Sequence, residues 1–161
     1  MAENFPMFLQ DGTGGLVMGS YGCGKTHLEV ALGRELIRNG YRVKFFQASK
    51  LYTDYVEAFS WKERRSPTAV IEDACDADLI ILDDVGINTL DSDKDNFVKF
   101  IYALINHCYN QKKPILISTN LKEEELIAAV TMRVYDRIKE MTFRAVNERT
   151  SMREEEANRR S

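Results

Sequence analysis

The stretch Gly19-Ser20-Tyr21-Gly22-Cys23-Gly24-Lys25-Thr26 follows the spacing G-x-x-x-x-G-K-[ST]. Residues of these types, so placed, are equipped to hold a phosphate chain. Glycines let successive backbone N–H groups converge on an anion, and a helix starting behind them adds partial positive charge. Lys25 supplies a compact cation for the outer phosphates, and the Thr26 hydroxyl is a hard oxygen ligand for Mg2+. Residues 19–27 together are the expected nucleotide-binding segment. Within it Cys23 takes a variable position where a small residue is tolerated, and His27 reads first as a packing residue.

A second constellation is Leu79-Ile80-Ile81-Leu82-Asp83-Asp84, four apolar residues ending in two carboxylates. A parallel strand buried on both faces is continuously apolar, and functional groups gather at its C-terminal end. Asp83 is expected to share the Mg2+ with Thr26, directly or through water, and Asp84 to orient or deprotonate an attacking water. Two adjacent aspartates alone are often a turn; downstream of a phosphate loop they acquire a role. The segment Asp91–Asn96 has the start of a calcium loop, but Asn96 stands where glycine is required and Tyr102 where glutamate is, so these residues are read as the charged start of a helix.

Short apolar runs alternating with helix-period segments must position these groups, the pattern of a parallel α/β sheet. Strands are predicted at Leu16–Met18, Val43–Phe46, Leu79–Leu82 and Ile115–Ile117, with a weaker fifth at Phe143–Val146. The helix from Lys25 is expected to bury Leu28, Ala31, Leu32 and Leu36, and to stop at Asn39-Gly40. A helix capped by Ser49 places Leu51, Tyr55, Val56 and Phe59 on one face. Ser66-Pro67 opens a short helix running to Cys75. A long helix carries the stripe Phe97, Phe100, Ile101, Leu104, Ile105 and Cys108. Two more helices are expected at Leu121–Ala129 and Met132–Met141, and a charged tail from Arg153 to Ser161.

With 161 residues, 44% of them hydrophobic and 29% charged, the chain fits one domain with a real core. No apolar run approaches the ~18 residues that cross a bilayer, and residues 1–12 do not read as a secretory signal. Three cysteines at scattered spacing make neither a disulfide framework nor a zinc pattern, which implies reduced thiols and a cytoplasmic location. A net charge of −3 excludes a globally basic nucleic-acid binder.

The stretches GLVMGSYGCGKTHL, LIILDDVG, PILISTNL and MRVYDRIKEM, in that order, resemble the AAA+ ATPases, and within them the DnaC/DnaI-like helicase loaders and the IstB-like transposition ATPases. The resemblance runs from about Asn4 to Arg153. It implies a P-loop NTPase three-layer sandwich with a five-stranded parallel sheet, the Walker A strand central and no separate lid. It also implies ATP and Mg2+ bound at interfaces between copies of the chain. Asn120 corresponds to the family's sensor 1, contacting the γ-phosphate or the water, although Asn120-Leu121-Lys122-Glu123 is also a capping box. Arg137 falls where the loaders carry an arginine finger supplied in trans. Arg133, one turn earlier, is the second candidate, and an Arg137–Glu140 surface pair is the structural alternative. Arg153 is similar to a C-terminal nucleotide-sensing arginine of the family. Asp84 stands where many AAA+ proteins have glutamate, which implies slow hydrolysis. The N-terminal helicase-binding domain of the family finds no counterpart in the few residues before the first strand, so the expectation is an ATPase domain alone.

Between the second and third strands lie Lys50, Tyr52, Tyr55, Trp61, Lys62, Arg64 and Arg65, basic groups interleaved with aromatics. Such a mixture suits single-stranded DNA, neutralising phosphates and stacking bases, with Lys50, Trp61, Lys62, Arg64 and Arg65 as the expected contacts. A solvated turn reads the same way. The resulting expectation is an ATP-hydrolysing switch that oligomerises on single-stranded DNA and assists a replicative helicase. A transposition regulator, or a nucleotide-dependent module with negligible turnover, is the alternative. A small-molecule kinase would need an arginine-rich lid and an acceptor pocket, a GTPase an N-K-x-D segment, and a transporter ATPase an L-S-G-G-Q-like signature. The first two of these features are not clearly present and the other two do not occur.

Overall fold

The computed structural model describes residues 5–60, 65–86 and 94–147. The chain opens with helix α1 (Phe5–Asp11), then strand β1 (Gly14–Gly19), helix α2 (Lys25–Arg38) and strand β2 (Val43–Gln47). Helices α3 (Ala48–Glu57) and α4 (Pro67–Cys75) lead to strand β3 (Leu79–Asp83). Helix α5 (Lys94–Asn110), strand β4 (Ile115–Thr119), helices α6 (Glu123–Val130) and α7 (Met132–Met141) and strand β5 (Thr142–Asn147) complete the described chain.

The five strands form one parallel sheet in the order β2-β3-β4-β1-β5. Each β-to-β connection is long enough for a helical crossover, and the helices fall on both faces. On one face Leu16, Met18, Ile80, Leu82, Ile115 and Ile117 pack under α3 to α7. On the other, Val17, Leu79, Ile81 and Leu116 pack under Phe5 of α1 and Leu36 of α2. All five residues of β3 and of β4 are buried, which explains the unbroken apolar runs Leu79–Leu82 and Ile115–Ile117. The α5 stripe Phe97, Phe100, Ile101, Leu104, Ile105 and Cys108 is buried as the i, i+3, i+4, i+7 period demands. Each such large side chain contributes roughly 1.5–3 kcal/mol on leaving water.

Several local readings are corrected. The middle strand of the sheet is β4, and β1 lies beside it, between β4 and β5. Helix α1 has no counterpart in the sequence reading, yet Phe5 is fully buried and meets Tyr41 edge-on, ring centres 4.8 Å apart. Helix α2 buries Lys25, Glu29, Gly33 and Leu36, while Leu28 and Ala31 face solvent. The helix is turned because Lys25 must face the phosphate loop and because Gly33 is its contact point with the sheet. A Cβ on Gly33 would lie 3.2 Å from Ile81 Cδ1. Helix α3 starts one residue before Ser49 and has no side-chain cap. It buries Ala48, Leu51 and Tyr52, leaving Val56 and Phe59 exposed, so Tyr52 is a core residue. By contrast, α4 starts as expected: Ser66 Oγ accepts the Ala69 N–H at 3.1 Å, with proline at the first turn.

Candidate nucleotide-binding site

Between β1 and α2 the chain makes a tight loop whose Gly22 and Gly24 have φ of 77° and 94°, left-handed values that glycine takes without strain. Gly24 is the N-cap of α2, and no side chain caps the helix. The first-turn amides therefore lack intrahelical acceptors and face a cavity of about 430 Å3. Lys25, Thr26, His27, Asp83, Asp84 and Asn120 line that cavity, so both sequence constellations meet in one place.

Lys25 is only 7% exposed. Its Nζ donates to Gly19 O at 2.8 Å, Ser20 O at 2.9 Å and Asn120 Oδ1 at 2.5 Å. This ammonium is held by neutral acceptors alone, which leaves its positive charge for an incoming anion. Thr26 Oγ1 donates to both oxygens of Asp83, at 3.1 and 3.0 Å. Asn120 Nδ2 donates to Asp84 Oδ1. Asp84 itself has φ 58°, and its N–H donates to Ser118 Oγ at 3.1 Å. That strained turn separates the two carboxylates: Asp83 faces Thr26, Asp84 faces Asn120.

The capping alternative for Asn120 is resolved by α6, which begins at Glu123 with Lys122 as N-cap. Glu125 Oε2 accepts the Lys122 N–H at 2.8 Å, so the reciprocal half of the cap is met two residues beyond the expected box. The Asn120 amide is left to bridge Lys25 and Asp84 across the cavity mouth.

Three residues of this site escaped the sequence reading. Ser118 Oγ donates to Asp83 Oδ1 at 2.7 Å and fixes that carboxylate from below. Gln47, at the end of β2, lines the cavity. Glu29 is fully buried, and neither of its oxygens has a hydrogen-bond partner among the described residues. Burial first, and then the neighbouring Asp83, push its carboxyl up to about 8. Its signal was its spacing: one helical turn after Lys25, it shares that residue's face.

The donor set suits a nucleotide phosphate chain with Mg2+. Hard oxygens from Thr26 and Asp83 sit together, the lysine is within the same cavity, and an uncapped helix start points inward. Among the described residues no group of three or more acidic, histidine or cysteine side chains could hold a metal ion.

Other predicted residues lie elsewhere. The guanidinium of Arg137 is 5.4 Å from the ring centre of Tyr102 and 5.6 Å from that of Tyr109, and its Nη1 is buried without a partner among the described residues. Arg133, exposed, lies 5.5 Å over Tyr102. The Arg137–Glu140 pair does not form; Tyr109 donates to Glu140 Oε2 at 2.9 Å instead. Lys50 pairs with Asp54 at 2.7 Å and Arg65 with Asp73 at 2.8 Å, so these two expected DNA-facing cations already have acidic neighbours. Trp61, Lys62, Arg64 and Arg153 are outside the described residues. No helix among the described residues is long and apolar enough to cross a membrane.

Comparison with known proteins gives the family and the fold. The protein XkdC of the phage-like element PBSX of Bacillus subtilis (strain 168) is 31% identical over 126 residues, covering 74% of this chain and 46% of XkdC. The chain spans less than half the length of the curated relatives it matches. The crystal structure of the DnaC helicase loader superposes with a TM-score of 0.75 at 25% identity, covering 91% of this chain and 87% of that one. The replication initiator DnaA bound to AMPPCP and single-stranded DNA shares the fold, with a TM-score of 0.75 at 24% identity over 92% of this chain and 44% of DnaA. This is the AAA+ P-loop architecture expected from the four motif stretches. The family described as IstB-like ATP binding protein matches residues 7–155, nearly the whole chain, and the protein belongs to that family.

Proposed function

We propose that the chain is an ATP-hydrolysing switch of the helicase-loader type, working at an interface between its own copies. The observation that carries this reading is the network in which Lys25, Asn120 and Asp84 face one side of the cavity mouth while Thr26 and Asp83 face the other. A γ-phosphate entering there would take the place of the carbonyl oxygens now on Lys25, and Thr26 and Asp83 would hold Mg2+. The ion, when bound, neutralises charge on the β- and γ-oxygens. Asp84, kept near Asn120, is set to orient a water for in-line attack. Its shorter side chain, in place of glutamate, supports slow turnover.

The arginines of α7 are the proposed contribution in trans. Arg137 would leave its aromatic cleft to reach a neighbour's nucleotide; Arg133 is already exposed and is the alternative. Assembly on single-stranded DNA and action on a replicative helicase form the finer part of the proposal. They draw support from the likeness to the DnaC helicase loader. Since Lys50 and Arg65 are ion-paired, the proposed DNA contact leans on Trp61, Lys62 and Arg64. The family match supports a second partner reading, a transposase with duplex DNA, and co-purification with each candidate separates the two.

Phosphate release from ATP, with and without single-stranded DNA, tests the enzymatic core. Asp84→Asn is expected to bind ATP as tightly as the parent while losing turnover by roughly 10²- to 10⁴-fold. Hydrolysis at the parental rate in that variant refutes the role given to Asp84.

A further inference from the structure

Cys75 and Cys108 are 33 positions apart in sequence but adjacent in space, their Sγ atoms 3.6 Å apart. Both are free thiols, 2% and 0% exposed respectively. Cys75 is the last residue of α4 and Cys108 lies in the final turn of α5. These helix ends precede β3 and β4, so the pair sits at the N-terminal edge of the sheet, the far end from the phosphate loop. The function proposed above makes no use of them.

Their environment is asymmetric. Lys113 reaches over the α4–β3 connection, its Nζ donating to Ala77 O at 3.2 Å, and Lys44 comes in from β2. The hydrogen bond from Cys108, aided by these two cations, pulls the Cys75 thiol below its ordinary range, while the same contact and burial hold Cys108 well above. In this contact either sulfur can carry the proton. Cys75 is also next to the exposed Asp76, one residue from solvent.

We propose that Cys75 and Cys108 form an oxidisable dithiol, which a small two-electron oxidant such as hydrogen peroxide converts to a disulfide tying α4 to α5. The Cys75 thiolate attacks one peroxide oxygen; the O–O bond breaks, hydroxide leaves, and Cys75 becomes a sulfenic acid. The Cys108 sulfur then attacks the Cys75 sulfur, the S–O bond breaks, and water departs with the Cys108 proton. The sulfurs must close from 3.6 Å to about 2.05 Å, a shift that the ends of two helices absorb by small movements.

The test treats the folded chain with hydrogen peroxide, quenches it, and counts free thiols after denaturation. The count is expected to fall from three toward one, with a mass loss of two hydrogens and a non-reduced peptide linking Cys75 to Cys108. Reduction with dithiothreitol should restore the count. Cys75→Ser and Cys108→Ser, each first shown to be folded by circular dichroism, should form no such link. The oxidised chain should melt several degrees higher, because the bridge closes a 33-residue separation in the unfolded state. The proposal is overturned if peroxide modifies Cys23 while Cys75 and Cys108 stay reduced, or if the linked peptide contains Cys23.

Discussion

At the scale of single residues, the site is shaped as much by groups beneath it as by those that face the nucleotide. Asp83 accepts from Thr26 and from Ser118, and Glu29 is buried beside it. An acid in that position is retained with its proton. Glu29 rises from an ordinary 4.5 to about 8, so between those values the folded chain binds a proton that the unfolded chain has released. Stability linked to Glu29 is therefore full below about pH 4.5 and is lost as pH climbs through 8, by several kcal/mol in all. Glu29→Gln cannot titrate. Melting temperatures of the two proteins measured from pH 5 to pH 8.5 should diverge, the parent falling more steeply; parallel curves contradict the assignment. Asn120 carries a related lesson. Read as letters it serves a helix cap or a phosphate sensor; the start of α6 at Glu123 takes the cap role from it, and the sensor role is the proposal.

At the scale of elements, capping chemistry gives the cleanest prediction. The Ser66 hydroxyl satisfies the Ala69 amide at the start of α4, a helix of nine residues with Pro67 in its first turn. Ser66→Ala should cost about 1 kcal/mol, lowering the melting temperature by roughly 2–4 °C, and no change would show that packing alone starts the helix. Much of the element map was legible because its signals were local. Ser66-Pro67, the α5 stripe and the unbroken apolar runs of β3 and β4 each carry their own physical cause. The readings that failed depended on something distant. The orientation of α2 is set by the contact of Gly33 with Ile81 and by the demand that Lys25 face the loop. The short α1 exists because Phe5 finds Tyr41 and the far face of the sheet. The site followed the same division. Lys25, Thr26, Asp83 and Asp84 are spelled out by motif, whereas Ser118, Gln47 and Glu29 become visible only when strands and helix are brought together.

At the scale of the whole molecule, one cavity is lined from α2 and from the ends of β1, β2, β3 and β4, and its catalytic complement is proposed to come from another copy. Arg137 rests between Tyr102 and Tyr109, and the proposal requires its guanidinium to leave that cleft for a neighbour's phosphate. Mixing Arg137→Ala with Lys25→Ala should restore part of the turnover that each lacks alone, since one supplies an intact site and the other an intact finger. Arg137→Ala retaining parental turnover by itself would move the role to Arg133. The prior question is whether the cavity holds nucleotide at all. Calorimetric titration of the folded chain with ATP and Mg2+ answers it most directly: a saturable single-site heat is expected for the parent, and none for a folded Lys25→Ala. No heat from the parent, or the same heat from both proteins, contradicts the account.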